Sequence, residues 1–566
     1  MPGFFVSNMG EVVLNNIYED RCRKDSLAYG TFFCARNTLD KFLDDKTLFE
    51  NDNYVVIAEG VLLNKSELLL QAKLRSVADL IIRYYESKGD CFFDSFRGTF
   101  SGALFDKRRE RWIFYTNHCG TSPLFYFDGK DGSFAIGSQV NYILDALRKE
   151  GIAITLNDQA VYAMLTYGFM IDDSTYVTQV KRLLPGRYIV LDSEGFCICE
   201  YYRPKKNLFD LSNVSDEDII EELNERFMHA IRLEFEKDRE YGLRHLCDLS
   251  GGLDSRMTTW VAHELGYDDC LNLTFCQSGY ADEVIAEQIA SYLGNELIFK
   301  PLDDARFILD PQHIVGMNYG LSLYSGITGG ESLLRSLDLK EFGIEHGGDL
   351  GDVVVGSYIK LLSANNNISH VGVYSTKLLD KLAPLDSSQY LDREQFMLET
   401  RGFLGMLTPH MIRRNYTETS APFLDVDFLN YCLSIPIEKR RRHILYRRWI
   451  KEKHPSAAQF IWEAQGLPVD AAPVKVLFKE ALGICNIFKD KLMKRSGAIY
   501  KGMNPFDRWY STHDYIREWM DSVPTMLGSR CPARLREDVQ VLFDEGVTLE
   551  KTQAITVLAA IDYYLN

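Results

Sequence analysis

The sequence has few of the features that mark membrane, secreted or nucleic-acid-binding proteins. It contains no window of about 18 apolar residues, so we expect no membrane-spanning helix. Residues 1–8 show no basic segment followed by an apolar run, and we therefore expect no signal peptide. The net charge of −17 at pH 7 disfavours extended contact with nucleic acid or anionic membranes, because basic surfaces drive both.

The cysteine spacing of zinc sites is also missing. The twelve cysteines are scattered, and no two of them have the CxxC spacing of zinc ligands. A chain of 566 residues is long enough for two or more domains and can fold without disulfides. With 46% hydrophobic and 25% charged residues, the composition is that of a globular protein. We expect reduced cysteines and a cytoplasmic location.

The most informative stretch is Cys247–Arg256, which reads CDLSGGLDSR. An apolar run ends in a serine and two glycines, and residues with helical spacing follow, so the pattern predicts a strand, a tight turn and a helix start. Paired glycines let the backbone approach a bulky anion, and a helix N-terminus offers it free N–H groups. Asp254 would repel a bare phosphate unless a divalent cation lay between them. We therefore predict that a nucleotide phosphate with Mg²⁺ binds here, to Leu249, Ser250, Gly251, Gly252, Asp254 and Ser255.

A second strand and helix are predicted at Cys270–Phe275 and Val284–Leu293. Strands and helices in alternation indicate a doubly wound parallel sheet, in which ligands bind beyond the carboxyl ends of the strands. Thr274 and Phe275 lie at such an end and would face an adenine ring, although simple packing within the strand explains both residues equally well.

Residues 1–205 have a different pattern, with short apolar runs between turns and helical spacing at Lys65–Lys73 and Ser76–Ser87. Strands with interposed helices predict a layered α/β sandwich. A polar linker over residues 207–214 leads to a helix that begins near Ser215. The predicted strands of the sandwich are Asn53–Ala58, Gly98–Phe105, Trp112–Tyr115, Leu124–Phe127, Ser133–Gly137 and Arg187–Leu191.

Five segments resemble the class B asparagine synthetases. Phe96–Asp106 is similar to a strand pair of their glutaminase domain, and Gly120–Tyr126 to the turn after it. Leu183–Tyr188 is similar to the leucine-proline-proline-glycine segment where that domain ends. Ser250–Ser255 resembles the pyrophosphate loop of enzymes that cleave ATP between its α- and β-phosphates. Ala421–Asp425 resembles the proline-phenylalanine-leucine-aspartate of the family, in which the aspartate would cap a helix.

The resemblance implies two domains. Residues 1–205 would form a degenerate glutamine amidotransferase-like domain with the αββα sandwich of Ntn hydrolases. Residues 206–566 would form an asparagine-synthetase-like ATP-pyrophosphatase domain, which is a doubly wound parallel sheet of the adenine nucleotide α-hydrolase-like type, with a helical extension.

The glutaminase chemistry of the family does not carry over to these residues. Pro2 stands where the family has a cysteine whose freed α-amine serves as the base for its own thiol. Glu59 stands in the asparagine-glycine pair that holds the oxyanion, and a carboxylate there would repel the developing negative charge. Arg97 replaces the aspartate that holds the glutamine amino group. We expect no glutaminase activity and a structural role for this domain.

A second acidic stretch, GIEHGGDLGD, ends another predicted strand. Gly348, Asp349 and Asp352 match the family's serine-glycine-glutamate-glycine-serine-aspartate-glutamate. Val353 replaces the last glutamate, as in β-lactam synthetases. The resemblance implies that Asp254 and Asp352 hold Mg²⁺ on opposite sides of the pyrophosphate, although Asp352 could instead cap a helix. Asp349 could deprotonate the attacking amine, or it could be a solvated or capping carboxylate.

A lysine of the family that stabilises the transition states is missing. The aligned residue is Ala464, and Lys475 or a residue of the basic segment could take its place. Charge patterning alone predicts that this basic segment is a solvated helix face. Its residues are Lys439, Arg440, Arg441, Arg442, Arg447 and Arg448.

The resemblance implies an ATP-dependent ligase that uses Mg²⁺. It would activate the carboxylate of a small-molecule, peptide or glycan acid as an acyl-adenylate, and ammonia or an amine would displace AMP to form an amide. An amine on the same molecule would give a ring, as in β-lactam synthetases and lasso-peptide cyclases, and we also consider a homodimer. Two alternatives stay open: a non-catalytic nucleotide-binding homologue, and an RNA-modifying pyrophosphate-loop enzyme that the acidic charge disfavours.

Overall fold

The structure is a computed structural model that describes residues 2–15, 21–326, 328–359, 371–472 and 503–565. Two six-stranded antiparallel sheets form the N-terminal domain, in the orders β10-β8-β9-β1-β3-β2 and β12-β11-β7-β6-β5-β4. Their strands are β1 (Gly3–Ser7), β2 (Cys22–Tyr29), β3 (Phe32–Leu39), β4 (Thr47–Glu50), β5 (Tyr54–Leu62), β6 (Gly98–Asp106), β7 (Arg111–Thr116), β8 (Phe125–Asp128), β9 (Phe134–Gly137), β10 (Lys181–Arg182), β11 (Arg187–Asp192) and β12 (Gly195–Glu200).

Helices cover the outer face of each sheet. These helices are α1 (Lys65–Ala72), α2 (Val77–Lys88), α3 (Val140–Lys149) and α4 (Asp158–Tyr167). α2 packs on the second sheet in one apolar core, and α3 and α4 pack on the first sheet in another. A third core lies between the two sheets and includes Phe4, Val6, Ile57 and Phe114. The predicted αββα sandwich is therefore confirmed.

The second domain is built on a five-stranded parallel sheet with the order β15-β14-β13-β16-β17. Its strands are β13 (Arg244–Asp248), β14 (Cys270–Cys276), β15 (Glu296–Pro301), β16 (Phe342–His346) and β17 (Thr419–Ser420), and a two-stranded ribbon follows as β18 (Ile461–Trp462) and β19 (Leu467–Pro468). Helix α5 (Asp216–Glu240) precedes the sheet, and the helices between β13 and β16 are α6 (Asp254–Glu264), α7 (Ala281–Leu293), α8 (Pro311–Asn318) and α9 (Thr328–Ser336). The chain adds strands on one side of β13 and then on the other, so the switch point of this doubly wound sheet lies between β13 and β16.

Within the described ranges, ten further α-helices surround the sheet, the first two before β17 and the others in the C-terminal extension. They are α10 (Arg393–Met397), α11 (Pro409–Arg413), α12 (Val426–Ser434), α13 (Ile437–Arg440), α14 (Ile444–Lys453), α15 (Pro455–Ala458), α16 (Phe506–Thr512), α17 (Asp514–Leu527), α18 (Ala533–Asp544) and α19 (Thr548–Leu565). Asp425 caps α12 through bonds from two backbone N–H groups, as predicted. No helix within the described ranges has the length and apolarity to cross a bilayer.

The C-terminal helices pack against both domains in one apolar core. α19 lies in the same apolar core as α3, α4 and α8. Gln553 on α19 donates a hydrogen bond to the Met164 carbonyl on α4 at 3.0 Å. The last strand of the sandwich ends at Glu200 and α5 begins at Asp216, so the predicted boundary at residue 205 falls between them.

A buried hydrogen-bonded network fixes β16 against α5. His346, the last residue of β16, lies 3.1 Å from Glu234 through Nδ1 and 2.8 Å from Asp238 through Nε2. The same Asp238 oxygen contacts His245 Nδ1 at 2.9 Å. Burial alone would lower the pKa of His346, but the charge of Asp238 and the hydrogen bonds to both carboxylates raise it to about 10. The ring is therefore an imidazolium with a carboxylate at each nitrogen.

We expect His346→Gln to change how stability depends on pH. A histidine whose pKa is raised on folding contributes stability that is complete below about pH 6.5 and is lost as the pH rises through the folded value of about 10. The melting temperature of the wild type should therefore fall more steeply between pH 7 and pH 10 than that of the variant. His263→Gln, at a half-exposed surface histidine, is the control. Parallel curves for wild type and His346→Gln would contradict the assignment.

Candidate functional site

The two glycine-rich loops meet at the switch point of the parallel sheet. One runs from the end of β13 to the start of α6, and the other follows β16. The backbone N–H of Asp352 donates to Asp254 Oδ2 at 2.7 Å. Residues 250–255 and residues 348–352 are therefore in direct contact, and the binding of Mg²⁺ and nucleotide between them stays a prediction.

Glycine is required where these loops touch. A Cβ atom on Gly348 would lie 2.4 Å from the backbone nitrogen of Ser255. A Cβ atom on Gly351 would lie 2.5 Å from Cγ of Asp254. Real Cβ atoms do not approach backbone atoms this closely, so any larger residue would separate the two loops.

The first loop is held by its own serines. The Ser250 N–H donates to Ser255 Oγ at 3.0 Å, and the two hydroxyl oxygens also lie 3.0 Å apart. The Gly252 N–H donates to Ser250 Oγ at 3.2 Å. The Gly251 N–H instead donates to Asp282 Oδ1 at 2.8 Å. Asp282, in the first turn of α7, is thus part of the site, and no local sequence pattern indicates this role.

Asp254 on the first loop and Asp352 on the second loop carry neighbouring carboxylates. Asp254 Oδ1 accepts a hydrogen bond from the Tyr446 hydroxyl at 2.9 Å. Burial and then the charge of Asp352 raise the pKa of Asp254 to about 8. In the described part of the chain, neither carboxylate forms an ion pair with a lysine or arginine. Such a pair of oxygen ligands without a basic partner fits a hard divalent cation such as Mg²⁺.

Asp352 also belongs to a hydrogen-bonded chain with Ser357 and His443. Its carboxylate accepts a hydrogen bond from Ser357, whose hydroxyl lies 3.0 Å from His443 Nε2. Asp352 makes no side-chain capping bond to the short helical turn that follows it, so the capping alternative is not seen. His443 has a left-handed backbone, with φ of 58°, in which a non-glycine residue is uncommon. Sequence reasoning missed Tyr446, Ser357 and His443, because they come from distant segments and form no motif.

Thr274 and Phe275 take part in packing. The Thr274 hydroxyl donates to the Leu249 carbonyl at 2.6 Å, which joins the ends of β13 and β14. The Phe275 ring packs against α9, where a Cβ atom on Gly330 would lie 2.7 Å from it. The structure therefore accounts for both residues without a ligand, and their contact with adenine stays a prediction.

Most of the basic segment is not a solvated helix face. Lys439 forms an ion pair with Asp216 at 2.7 Å, and the buried Arg440 forms one with Glu394 at 2.5 Å. Arg448 forms ion pairs with Asp216 and Glu452, whereas the Nε of Arg447 is buried and has no hydrogen-bond partner among the described residues.

The aligned position of the missing lysine lies close to the first loop. Ala464 lies in the turn between β18 and β19, and the preceding Glu463 N–H donates to the Gly251 carbonyl at 3.1 Å. Arg256, which is fully buried, donates to the carbonyls of Gly251 and Phe460 and so fixes the ribbon against the loop. Lys475 lies outside the described residues.

Asp349 lies between cationic neighbours. Its Oδ2 is 3.4 Å from His410 Nε2 and 3.7 Å from the Arg413 guanidinium. Burial raises the pKa of Asp349, but His410 and Arg413 outweigh it and lower the pKa to about 2. A carboxylate with so low a pKa is a weak general base. The assignment of Asp349 as the base stays a prediction that this arrangement does not favour.

Comparisons with known proteins agree with this architecture. A family model described as a glutamine amidotransferase domain matches residues 47–202. Glutamine-hydrolysing asparagine synthetase 1 of Lotus japonicus is 24% identical over 542 residues, which cover 85% of this chain and 80% of that protein. Its counterpart in Arabidopsis thaliana is 23% identical over 524 residues, covering 82% and 75%. The chain is thus similar to asparagine synthetases over most of its length. Glutamine PRPP amidotransferase of B. subtilis overlaps 48% of this chain and 52% of its own, with 9% identity and a TM-score of 0.23 that adds nothing to the assignment.

Glu59 and Arg97 stand where we expect asparagine synthetases to carry glutaminase residues. In this chain both side chains form ion pairs, and Glu59 also accepts a hydrogen bond. Glu59 is buried, accepts a hydrogen bond from Thr38 at 2.8 Å and lies 3.7 Å from Arg36. Arg97 forms an ion pair with Asp427 of the second domain at 3.3 Å. These side chains therefore join parts of the fold together.

We expect Gly348→Ala to lower stability because its methyl group would collide with the backbone of the other loop. A well-packed site that must shift to accept a methyl group loses roughly 1–3 kcal/mol. Thermal unfolding would measure the loss, and hydrogen exchange should show faster exchange in residues 250–255. Gly528→Ala is the matched control, since its φ is −71° and an added Cβ atom would meet nothing within 4 Å. Equal melting temperatures for the two variants would contradict the tight contact.

Proposed function

We propose that this protein is an ATP-dependent ligase that joins a carboxylic acid to ammonia or to another amine, with release of AMP and pyrophosphate. The observation that carries the proposal is the contact between the glycine-rich loop and the acidic loop at the switch point of the sheet. Similarity to asparagine synthetases over most of the chain supports the same reaction class.

The residues of the two loops suit the binding of a nucleotide triphosphate. The glycines let the backbone approach the phosphates, and the start of α6 presents N–H groups to them. Asp254 and Asp352 would hold Mg²⁺, which would offset the charge of the departing pyrophosphate. The hydrogen bonds from Tyr446 and from the Asp352 backbone fix both oxygens of Asp254 for this role.

Arg447 is our candidate for the missing cation. It follows Tyr446 on α14, and its buried Nε has no hydrogen-bond partner in the described ranges. Burial lowers the pKa of His443, and Arg447 lies close enough to lower it further, which puts the guanidinium beside the Ser357–Asp352 contact. A guanidinium there would stabilise negative charge on the phosphates.

The amine would not come from glutamine hydrolysis in this chain. Pro2 provides no thiol, and the buried carboxylate of Glu59 would repel an oxyanion. Free ammonia or the amino group of a second substrate is then the nucleophile. The second candidate function is nucleotide binding without catalysis, which Ala464, Val353 and the weakly basic Asp349 favour.

We expect Asp254→Asn to weaken Mg²⁺-dependent nucleotide binding by at least tenfold, because it removes one charged metal ligand. Its one amide oxygen can still accept from the Asp352 N–H, and its NH₂ group can donate to the Tyr446 oxygen. Calorimetric titration with α,β-methylene-ATP, with and without Mg²⁺, would measure the change. Glu287→Gln, at an exposed acid on α7, is the control. Unchanged Mg²⁺-dependent affinity would exclude the site. Tight binding by the wild type, without AMP or pyrophosphate from a broad panel of acids and amines, would favour the non-catalytic alternative.

We also expect no glutaminase activity, and Pro2→Cys alone should not create it, because Glu59 would still oppose the oxyanion. The measurement is glutamate release from glutamine after the initiator methionine has been removed. Heat-denatured protein gives the background. Glutamate release by the wild type above that background would refute this part of the proposal.

A further inference from the structure

Three cysteines that are not buried lie together on the N-terminal domain. Among the described cysteines, Cys197 is exposed, Cys22, Cys91 and Cys199 are partly buried, and the other seven are buried. The Sγ atoms of Cys197 and Cys199 are 3.7 Å apart. Cys91 is close to this pair, because its Sγ donates to the Tyr188 hydroxyl at 3.5 Å and Tyr188 pairs with Cys199 in the sheet.

The pair lies on an edge strand. Cys197 and Cys199 are two residues apart on β12, and alternate residues of a strand point to the same face. β12 ends the second sheet and, among the described strands, pairs only with β11. Because hydrogen bonds hold it on one side only, β12 can change its backbone at lower cost than a central strand.

A second pair of close thiols shows that distance alone does not make a site. Cys247 on β13 and Cys270 on β14 have Sγ atoms 3.1 Å apart, but these residues are only 0% and 4% exposed. Thiol–disulfide exchange requires a thiolate to contact the sulfur that it attacks, so a dissolved disulfide cannot reach this buried pair. In Cys197 and Cys199, two close thiols are combined with access from solvent.

We propose that Cys197 and Cys199 form a dithiol that small disulfides such as oxidised glutathione convert reversibly into an intramolecular disulfide. The Cys197 thiolate attacks one sulfur of oxidised glutathione, which gives a mixed disulfide and releases one glutathione thiolate. Cys199 then loses its proton and attacks the Cys197 sulfur, which closes the bridge and releases the second glutathione thiolate. The two protein thiols are oxidised, and their two electrons and two protons leave in two molecules of reduced glutathione.

The surroundings of the two thiols set the order of these steps. Burial, and then the contact with Cys197, raise the pKa of Cys199, so Cys199 is held as a thiol. Cys197 is the exposed member of the pair and meets the oxidant first.

The spacing of the two residues makes the bridge reversible. Residues two apart on a strand have Cα atoms at most about 6.8 Å apart, which is the upper end of the range that disulfides span. A disulfide at this limit is readily reduced again.

The pair also lies close to contacts between the two domains. The Tyr202 hydroxyl donates to Asn430 on α12 at 3.2 Å, and Arg203 forms an ion pair with Glu399 at 2.8 Å. Both contacts begin within four residues of Cys199 along the chain. Any bending of β12 by the bridge would therefore act on contacts that join the domains.

The test maps the thiols of the native protein after incubation with mixtures of oxidised and reduced glutathione. Remaining thiols are blocked with N-ethylmaleimide before digestion and mass spectrometry. Trypsin does not cut before Pro204 and releases residues 188–205 as one peptide, whose only cysteines are Cys197 and Cys199. We expect this peptide to lose two hydrogen atoms, to escape the maleimide and to recover both thiols in dithiothreitol. Cys247 and Cys270 should stay reduced.

Serine variants separate the two steps. In Cys197→Ser the rate at which residues 188–205 lose free thiol should fall at least tenfold. Cys199→Ser should instead accumulate glutathione on Cys197, because the thiol that resolves the mixed disulfide is gone. Cys22→Ser, at a partly buried cysteine on β2, is the control and should form the bridge as the wild type does.

Three results would overturn the proposal. Residues 188–205 could keep both thiols at every glutathione ratio. A glutathione adduct that persists on Cys197 in the wild type would exclude the second step. Oxidation of Cys247 and Cys270 at the same rate would show that unfolding, and not the edge strand, selects the thiols. Should a serine variant not fold, the wild-type map alone still decides between these results.

Discussion

The hydrogen bond from the Asp352 backbone to the Asp254 carboxylate is the contact on which the site depends. It joins two segments that are nearly 100 residues apart in the chain, and it can form only because Gly348 and Gly351 leave room for the other loop. The sheet brings the segments together, since β13 and β16 are adjacent parallel strands at a switch point. The imidazolium of His346 holds the end of β16 against Glu234 and Asp238 of α5. The residue that precedes the acidic loop is therefore fixed in place.

The sequence predicted the parts of this site that are local in the chain. The glycine-serine loop, the acidic loop and the cap at Asp425 are short patterns, and each has the predicted geometry. Sequence reasoning could not find Tyr446 or His443, because their roles arise only when α14 packs against the loops. It also predicted a solvated basic segment, whereas Arg440 is buried and forms an ion pair with Glu394. Charge patterning could not reveal this, because it carries no information on a partner 46 residues away in the chain. Sequence reasoning also missed β17, because two residues show no periodicity.

The N-terminal domain is held to the rest of the chain by buried charges. Lys46 and Glu418 form an ion pair at 2.7 Å with almost no exposure, and Asp45 pairs with Lys237 of α5 at 3.1 Å. Removing one partner of such a pair leaves an isolated buried charge, which is strongly destabilising. The N-terminal domain therefore contributes to the stability of the whole chain, whatever chemistry it carries. Buried polar groups such as Glu59, which accepts from Thr38, are part of its packing.

The two groups of carboxylates at the switch point differ in the charge that the protein places beside them. Asp254 and Asp352 have no lysine or arginine partner in the described ranges, and their mutual repulsion suits a divalent metal bound to phosphate. Asp248, Glu345 and Asp349 share Arg413, and Asp349 also lies 3.4 Å from His410. The protein's own cations therefore balance the second group, so a metal ion would change the charge balance most beside Asp254 and Asp352.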